Sequence, residues 1–133
     1  MVTYLDEIIA AHRRRAAADQ RDEAWLLSEL KDGETHRPAR DFSGALSGSG
    51  LAVIAEIKRR SPSKGPLAEE IDSSEVASAY EVGGACALSV LTDRAHFGGS
   101  PSDLIAARAA VSLPVLRKDF TVDRRDVIDA RIM

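Results

Sequence analysis

The spacing of apolar residues predicts a helix at the start of the chain. Its apolar stripe is formed by Leu5, Ile8, Ile9 and His12, which recur at helical intervals. Thr3, followed three residues later by Asp6, has the spacing of a capped helix start, in which each side chain bonds the other's backbone N–H. The first helix is therefore expected to begin just after Thr3.

A second helix is predicted over residues 22–31. Its buried side is expected to comprise Trp25, Leu26, Leu27 and Leu30, and the dipeptide Asp32-Gly33 is expected to end it. Residues 34–50 have the composition of a loop, because Pro and Gly recur in them, with one short helical turn at residues 41–46.

From residue 51 onward, short apolar runs alternate with helical patterns. Strands are predicted at residues 51–58, 86–91 and 114–117, and the first of them reads as buried on both faces. Helices are predicted at residues 73–82 and 102–111 and after Asp123, with a loop at 92–100 and with Leu104, Ile105 and Ala109 facing inward. This order predicts an α/β chain with parallel strands and right-handed crossovers.

Composition narrows the class of protein. The chain has 133 residues, of which 44% are apolar and 29% charged, and a net charge of −3, so a packed core is expected and nucleic-acid or membrane binding is not. A single cysteine, Cys86, excludes an internal disulfide. No apolar run approaches the length of a membrane span, and we expect a cytoplasmic protein.

Candidate chemistry lies at the predicted strand ends. Glu56 and Lys58 are two apart in the first strand, which places both side chains on one face, and a polar loop with Ser61 follows. Lys118 ends the third strand, and ligands of parallel barrels bind at this end of the strands. The residues alone leave alternatives open: a surface lysine, an ion pair between Lys118 and Asp119, or a carboxylate that only bridges strands.

Three stretches resemble the indole-3-glycerol-phosphate synthase family. They are residues 53–65, residues 91–100 (Leu-Thr-Asp-Arg-Ala-His-Phe-Gly-Gly-Ser) and residues 114–120 (Pro-Val-Leu-Arg-Lys-Asp-Phe). The resemblance implies a (β/α)8 TIM barrel with an N-terminal helical extension. Residues 1–50 would be that extension, and residues 51–133 would be the first three β/α units. Three units are only part of a closed barrel, which needs eight strands and typically about 250 residues.

The resemblance also implies roles for single residues. Lys118 matches the acid that protonates the substrate ketone. Lys58 matches a lysine that holds the substrate carboxylate and assists proton transfer. Glu56 matches a carboxylate that positions these two lysines. The implied binding residues are Ser61 for the phosphate and Phe97 and Phe120 for the anthranilate ring.

No cofactor and no metal are expected, because His12, His36 and His96 lie in unrelated segments without ligand spacing. The expected partner is the phosphorylated anthranilate–ribulose substrate. A C-terminal half of the barrel is expected to be needed for activity, and self-association is expected because open strand edges pair with other chains. Two alternatives are another phosphate-binding barrel enzyme, such as an aldolase that forms a Schiff base on Lys118, and a non-catalytic half-barrel module.

Overall fold

A computed structural model describes the backbone of residues 1, 3–36 and 38–133, and the side chains of these residues except 33–36. Part of the loop expected over residues 34–50 therefore lies outside the described residues. In chain order the elements are α1 (Tyr4–Ala18), α2 (Glu23–His36), α3 (Phe42–Leu46), β1 (Ile54–Ile57), β2 (Arg60–Ser61), β3 (Gly65–Pro66), α4 (Ser73–Val82), β4 (Ala87–Leu91), α5 (Arg94–Phe97), α6 (Pro101–Ala110), β5 (Val115–Lys118) and α7 (Arg124–Ile132).

The chain divides into two compact units. Unit one comprises residues 1–39 and 120–133, and unit two comprises residues 40–119. Unit one contains α1, α2 and α7, and unit two contains all five strands with α3 to α6. The division into residues 1–50 and 51–133 that the resemblance implies stays a prediction.

The centre of unit two is a three-stranded parallel sheet in the order β1-β4-β5. Ile57 pairs with Val90, and Leu91 pairs with Lys118. In the chain, α4 lies between β1 and β4, and α6 lies between β4 and β5, as crossovers between parallel strands require. The expected α/β class with three parallel strands is confirmed, and closure into an eight-stranded barrel stays a prediction.

Helix starts in unit two follow their capping residues. α4 spans the predicted residues, with the Asp72 carboxylate accepting from the N–H groups of Ser74 and Glu75. α6 begins one residue earlier than predicted because Ser100 is its cap and Pro101 its first residue. The expected loop at residues 92–100 contains a further helical turn, α5, which is capped by Asp93.

The core of unit two is formed by the middle strand and by one stripe of each long helix. All five residues of β4 are buried. On α6 the buried apolar positions are Leu104 and Ala107, and Val111 follows the helix at the next position of this stripe. Ile105 is 45% exposed and Ala109 is also exposed, so their predicted inward orientation is wrong. They lie about 100° and 140° around the helix from Leu104.

Strand β1 differs from its prediction in length and burial. It covers only Ile54–Ile57, and Ile57 is its single buried residue. Val53 and Ile54 are 44% and 45% exposed, so burial on both faces is wrong. Ile54 lies on the same sheet face as the exposed Leu116 of β5, so this face is left uncovered on both outer strands.

In unit one, the predicted cap of the first helix is confirmed: the Thr3 hydroxyl accepts from the Asp6 N–H, and the Asp6 carboxylate accepts from the Thr3 N–H. Helix α2 continues to His36, so the expected stop at Asp32-Gly33 is wrong. A glycine inside a helix destabilises it by only about 1 kcal/mol relative to alanine, which does not by itself end a helix.

The predicted buried side of α2 is correct for Leu26 alone among the three consecutive apolar residues. Leu26 is 2% exposed, whereas Trp25 and Leu27 are 53% and 40% exposed. Successive residues point about 100° apart around a helix, so three neighbours cannot share one face. Leu30 is half-buried on the same side as Leu26, and α2 packs against α7 within unit one.

Candidate functional site

The C-terminal ends of the three parallel strands lie along one edge of the sheet in unit two. Lys58 follows the last residue of β1, Thr92 follows β4, and Lys118 is the last residue of β5. Because the strands are parallel, this edge collects polar side chains from three separate parts of the chain. Ligands of parallel α/β folds bind at this kind of edge.

Glu56 and Lys58 form the ion pair that their spacing predicts. The Lys58 Nζ lies 2.8 Å from Glu56 Oε1, so both side chains are on the same side of the strand. The second carboxylate oxygen, Oε2, accepts a hydrogen bond from the Ser89 hydroxyl at 3.2 Å. Glu56 and Ser89 are direct neighbours in the sheet register. The carboxylate is therefore held from two strands, and both charged side chains are about one-third exposed and open to a ligand.

Lys118 lies on the sheet face that carries Glu56. The register aligns Glu56, Ser89 and Leu116 in one row, and side chains two residues apart on a strand share a face. Leu116 and Lys118 are the exposed residues of β5, while Val115 and Arg117 are half-buried on its other face. The sheet thus presents two lysines and one carboxylate on one face at its C-terminal edge.

The alternative of a simple Lys118–Asp119 ion pair is not the arrangement in the structure. The Asp119 carboxylate accepts a hydrogen bond from the Thr92 hydroxyl at 2.7 Å and lies 3.3 Å from Arg117 Nη2. Lys118 is exposed, and no ion pair joins it to the residues that the structure describes.

The polar loop expected after β1 is a short hairpin that contains Ser61. β2 and β3 pair antiparallel, with Ser61 opposite Gly65. The Ser61 hydroxyl oxygen accepts from the Lys64 N–H at 3.1 Å and lies 3.5 Å from the Ser63 hydroxyl. Gly65 has φ +70°, which favours glycine at the turn. The hairpin fixes Ser61 shortly after the C-terminal end of β1.

The two aromatic candidates lie in different units. Phe97 is the last residue of α5 in unit two and is half-buried. Phe120 belongs to unit one, where its ring centroid lies 5.3 Å from that of His12 in a tilted arrangement. A ligand-binding role for either ring stays a prediction, as does the expected absence of a metal; the His36 side chain lies outside the described residues.

Sequence reasoning missed a buried carboxylate, Asp103, that supports the same edge. It accepts hydrogen bonds from Arg59 Nη2 at 2.5 Å, the Ser73 hydroxyl at 2.8 Å and the Ser100 hydroxyl at 3.0 Å. Burial alone would raise the pKa of Asp103, but these hydrogen bonds outweigh it and the pKa is lowered. The carboxylate joins the end of β1 to the starts of α4 and α6, and its only sequence signal was the Ser-x-x-Asp cap spacing.

Among the described residues, no helix is long and apolar enough to cross a membrane. The family model for indole-3-glycerol phosphate synthase matches residues 5–133.

Curated relatives carry the same description. The chain is 60% identical over 96 residues to indole-3-glycerol phosphate synthase 2 of Streptomyces coelicolor, which covers 72% of the chain and 37% of the relative. It is 51% identical over 130 residues to indole-3-glycerol phosphate synthase of Mycolicibacterium vanbaalenii, covering 97% of the chain and 47% of the relative. The protein of that name from Kineococcus radiotolerans is 49% identical, with 98% of the chain and 49% of the relative covered. The chain thus spans half or less of the length of these relatives, and it belongs to the indole-3-glycerol phosphate synthase family.

Proposed function

We propose that this chain supplies the N-terminal part of an indole-3-glycerol phosphate synthase active site on a TIM barrel. The substrate would be 1-(2-carboxyphenylamino)-1-deoxyribulose 5-phosphate, converted to indole-3-glycerol phosphate in tryptophan biosynthesis. The observation that carries the proposal is the Glu56–Lys58 pair, braced by Ser89, on the same sheet face as Lys118. The family match supplies the identity of the substrate.

Ring closure is the step for which Lys118 is suited. A C–C bond forms between the substrate ketone carbon and the ring carbon that bears the carboxylate, and the ketone oxygen takes up a proton. An ammonium group at an exposed strand end can donate that proton. Carbon dioxide then leaves, which restores the aromatic ring, and loss of water completes the indole.

Lys58 and Glu56 are suited to hold the reacting carboxylate. The Lys58 ammonium can pair with the substrate carboxylate, and the Glu56 carboxylate keeps the ammonium in place 2.8 Å away until then. We assign the phosphate to Ser61 and the anthranilate ring to Phe97 and Phe120, by the match of these residues to the family motifs. The proposed location is the cytoplasm, because a phosphorylated substrate does not cross membranes unaided.

The remaining catalytic groups of the proposed site come from outside these residues, so the 133-residue chain alone is expected to be inactive. The test is a turnover assay on the chain alone and on a chimera that joins it to the C-terminal part of the Mycolicibacterium relative. Product should form only with the chimera, and Lys118→Ala should slow its formation on the order of 10²–10⁴-fold, whereas Lys64→Ala should not slow it. A folded chimera without turnover would refute the proposal, and borohydride trapping of substrate on Lys118 would favour the Schiff-base alternative.

A further inference from the structure

Three polar residues at the ends of β4 and β5 are joined by hydrogen bonds, and we call this group the Thr92 bracket: Thr92, Arg117 and Asp119. The Thr92 hydroxyl donates to Asp119 Oδ2 at 2.7 Å and accepts from Arg117 Nε at 3.1 Å. Arg117 Nη2 lies 3.3 Å from the same Asp119 oxygen. The single hydroxyl of Thr92 therefore joins the Arg117 cation on β5 to the Asp119 anion just after the end of that strand.

The charged side chains of the bracket are unexpected at these positions, because they are largely buried. Arg117 stands in the sheet row of Ile57 and Val90, two buried apolar residues. The side chains of Arg117 and Asp119 are 15% and 7% exposed. Burying charged groups is costly unless they are paired and hydrogen-bonded, and the bracket meets that requirement. The bracket joins the end of β4 to the end of β5, and its two charged members flank Lys118.

Lys118 is the residue between the two charged members of the bracket. Both of its chain neighbours are tied to Thr92, and its own position is paired with Leu91, the residue before Thr92. Its side chain points to the opposite, exposed face of β5. The charged groups on that face of the neighbouring strands are Glu56 and Lys58, which are paired with each other, and the register neighbour on β4 is the apolar Leu91.

The bracket also fixes the position of the Asp119 carboxylate relative to Lys118. Asp119 is the carboxylate closest to Lys118 in the chain, and in the structure it is engaged by Arg117 and Thr92. If it were released, it could rotate toward the Lys118 ammonium and form an exposed ion pair of the kind that occupies Lys58.

We propose that the Thr92 bracket is a positioning device for Lys118, which fixes the end of β5 and keeps Asp119 away from the lysine ammonium. Lys118 thereby stays available to a ligand at the C-terminal edge of the sheet. The consequence for catalysis rests on the proposed function, whereas the effect on Lys118 itself does not.

The first test measures the availability of the Lys118 amine in the 133-residue chain. An amine-reactive ester labels the lysines, and peptide mass spectrometry gives the labelling rate of Lys118 relative to the exposed Lys64. In Arg117→Met the ratio should fall about two- to fivefold, the range that an exposed ion pair of up to about 1 kcal/mol produces. In the double variant Arg117→Met/Asp119→Asn, which removes the competing carboxylate, the ratio should return to the wild-type value.

Two outcomes would overturn the proposal: an unchanged ratio in folded Arg117→Met, or an equally low ratio in the double variant. The pair Thr92→Val and Thr92→Ser provides milder changes if Arg117→Met does not fold. Thr92→Val should lower the ratio and speed hydrogen exchange of the Lys118 amide, while Thr92→Ser keeps the hydroxyl and should match the wild type. Equal behaviour of these two variants would also contradict the bracket.

The second test separates the bracket from the proposed function. In the chimera, Thr92→Val should lower kcat more than it changes KM, and Thr92→Ser should restore kcat. If the labelling results hold but the wild-type chimera has no turnover, the bracket is supported and the proposed function fails. If the chimera is active and kcat is insensitive to Thr92→Val, the positioning role is refuted and the proposed function stands.

Discussion

At the scale of single residues, Gly99 shows how closely the loop after β4 packs on the strand end that carries Thr92. A Cβ at Gly99 would lie 2.0 Å from the Leu91 carbonyl oxygen and 3.3 Å from the Thr92 nitrogen. The obstacle is backbone and not a flexible side chain, so one of the two segments would have to move. The contact with the Leu91 backbone therefore leaves no room for a side chain at position 99.

Gly99→Ala should destabilise the chain by about 1–3 kcal/mol, the usual consequence of forcing an extra methyl group into a packed site. The matched control is Gly48→Ala, because a Cβ at Gly48 meets nothing within 4 Å. Urea unfolding of both variants checks the prediction. Equal midpoints for the two variants would show that the Gly99 contact is not needed.

Residue chemistry was predictable where local spacing determines geometry. The period of two in a strand placed Glu56 and Lys58 together, and the 2.8 Å ion pair confirms it. The bracket was not predictable, because Thr92 meets Arg117 and Asp119 only through the pairing of β4 with β5. A charged residue inside a predicted strand was the available signal at Arg117.

At the scale of elements, ion pairs and hydrogen bonds join the end of α1 to α7 within unit one. Arg21 forms ion pairs with Asp19 and Asp129 at 2.7 Å and 2.8 Å. Arg125 donates to the Asp123 carboxylate at 2.8 Å and to the Ala16 carbonyl at 2.9 Å. The side-chain hydrogen bond from Arg21 is the main reason that the pKa of Asp19 is lowered.

The Arg125 side chain, which donates to Asp123, lowers the pKa of that cap to about 2 from an ordinary 3.8. A carboxylate with a lowered folded-state pKa contributes stability above its unfolded pKa and loses that contribution as the pH falls through the folded value. Asp123→Asn keeps a good helix cap but removes the charge. The urea midpoint of the wild type should therefore exceed that of Asp123→Asn at pH 7, and the difference should shrink between about pH 4 and pH 2. A difference that is constant or grows in acid would contradict this account.

Leu26 and Leu27 lie on different faces of α2, so their substitutions are expected to differ in their effect on stability. Leu26→Ala should destabilise the chain by about 2–5 kcal/mol, because it removes a buried side chain and leaves a cavity. Leu27→Ala, one residue along and 40% exposed, should have a much smaller effect. Thermal unfolding of the two variants decides between this assignment and the predicted common buried side, for which both changes would be similar.

Elements were more predictable from the sequence than the orientation of their residues. The start of α4 matches its prediction and the start of α6 differs from it by one residue, because a cap acts within three residues. Burial depends on what packs against an element. Ile54 is exposed on the sheet face that also carries the exposed Leu116, and the strand sequence alone does not reveal which face is covered.

At the scale of the whole molecule, the family was predictable because three stretches of the sequence resemble its motifs in the same order. The structure confirms that the three strands are parallel neighbours, so the motifs share one sheet edge. Closure into an eight-stranded barrel and the remaining site residues stay predictions. The chain spans 37% of the Streptomyces relative and 47% of the Mycolicibacterium relative.

The central claim is that Lys118 acts in the reaction while Ser61 binds the phosphate, and steady-state kinetics of the chimera tests it most directly. Lys118→Ala should lower kcat on the order of 10²–10⁴-fold with little change in KM, because an acid that protonates the developing alkoxide acts mainly in the transition state. Ser61→Ala should mainly raise KM, because a phosphate contact is made equally in the ground state and the transition state. The reverse pattern, with KM raised by Lys118→Ala and kcat lowered by Ser61→Ala, would contradict the account.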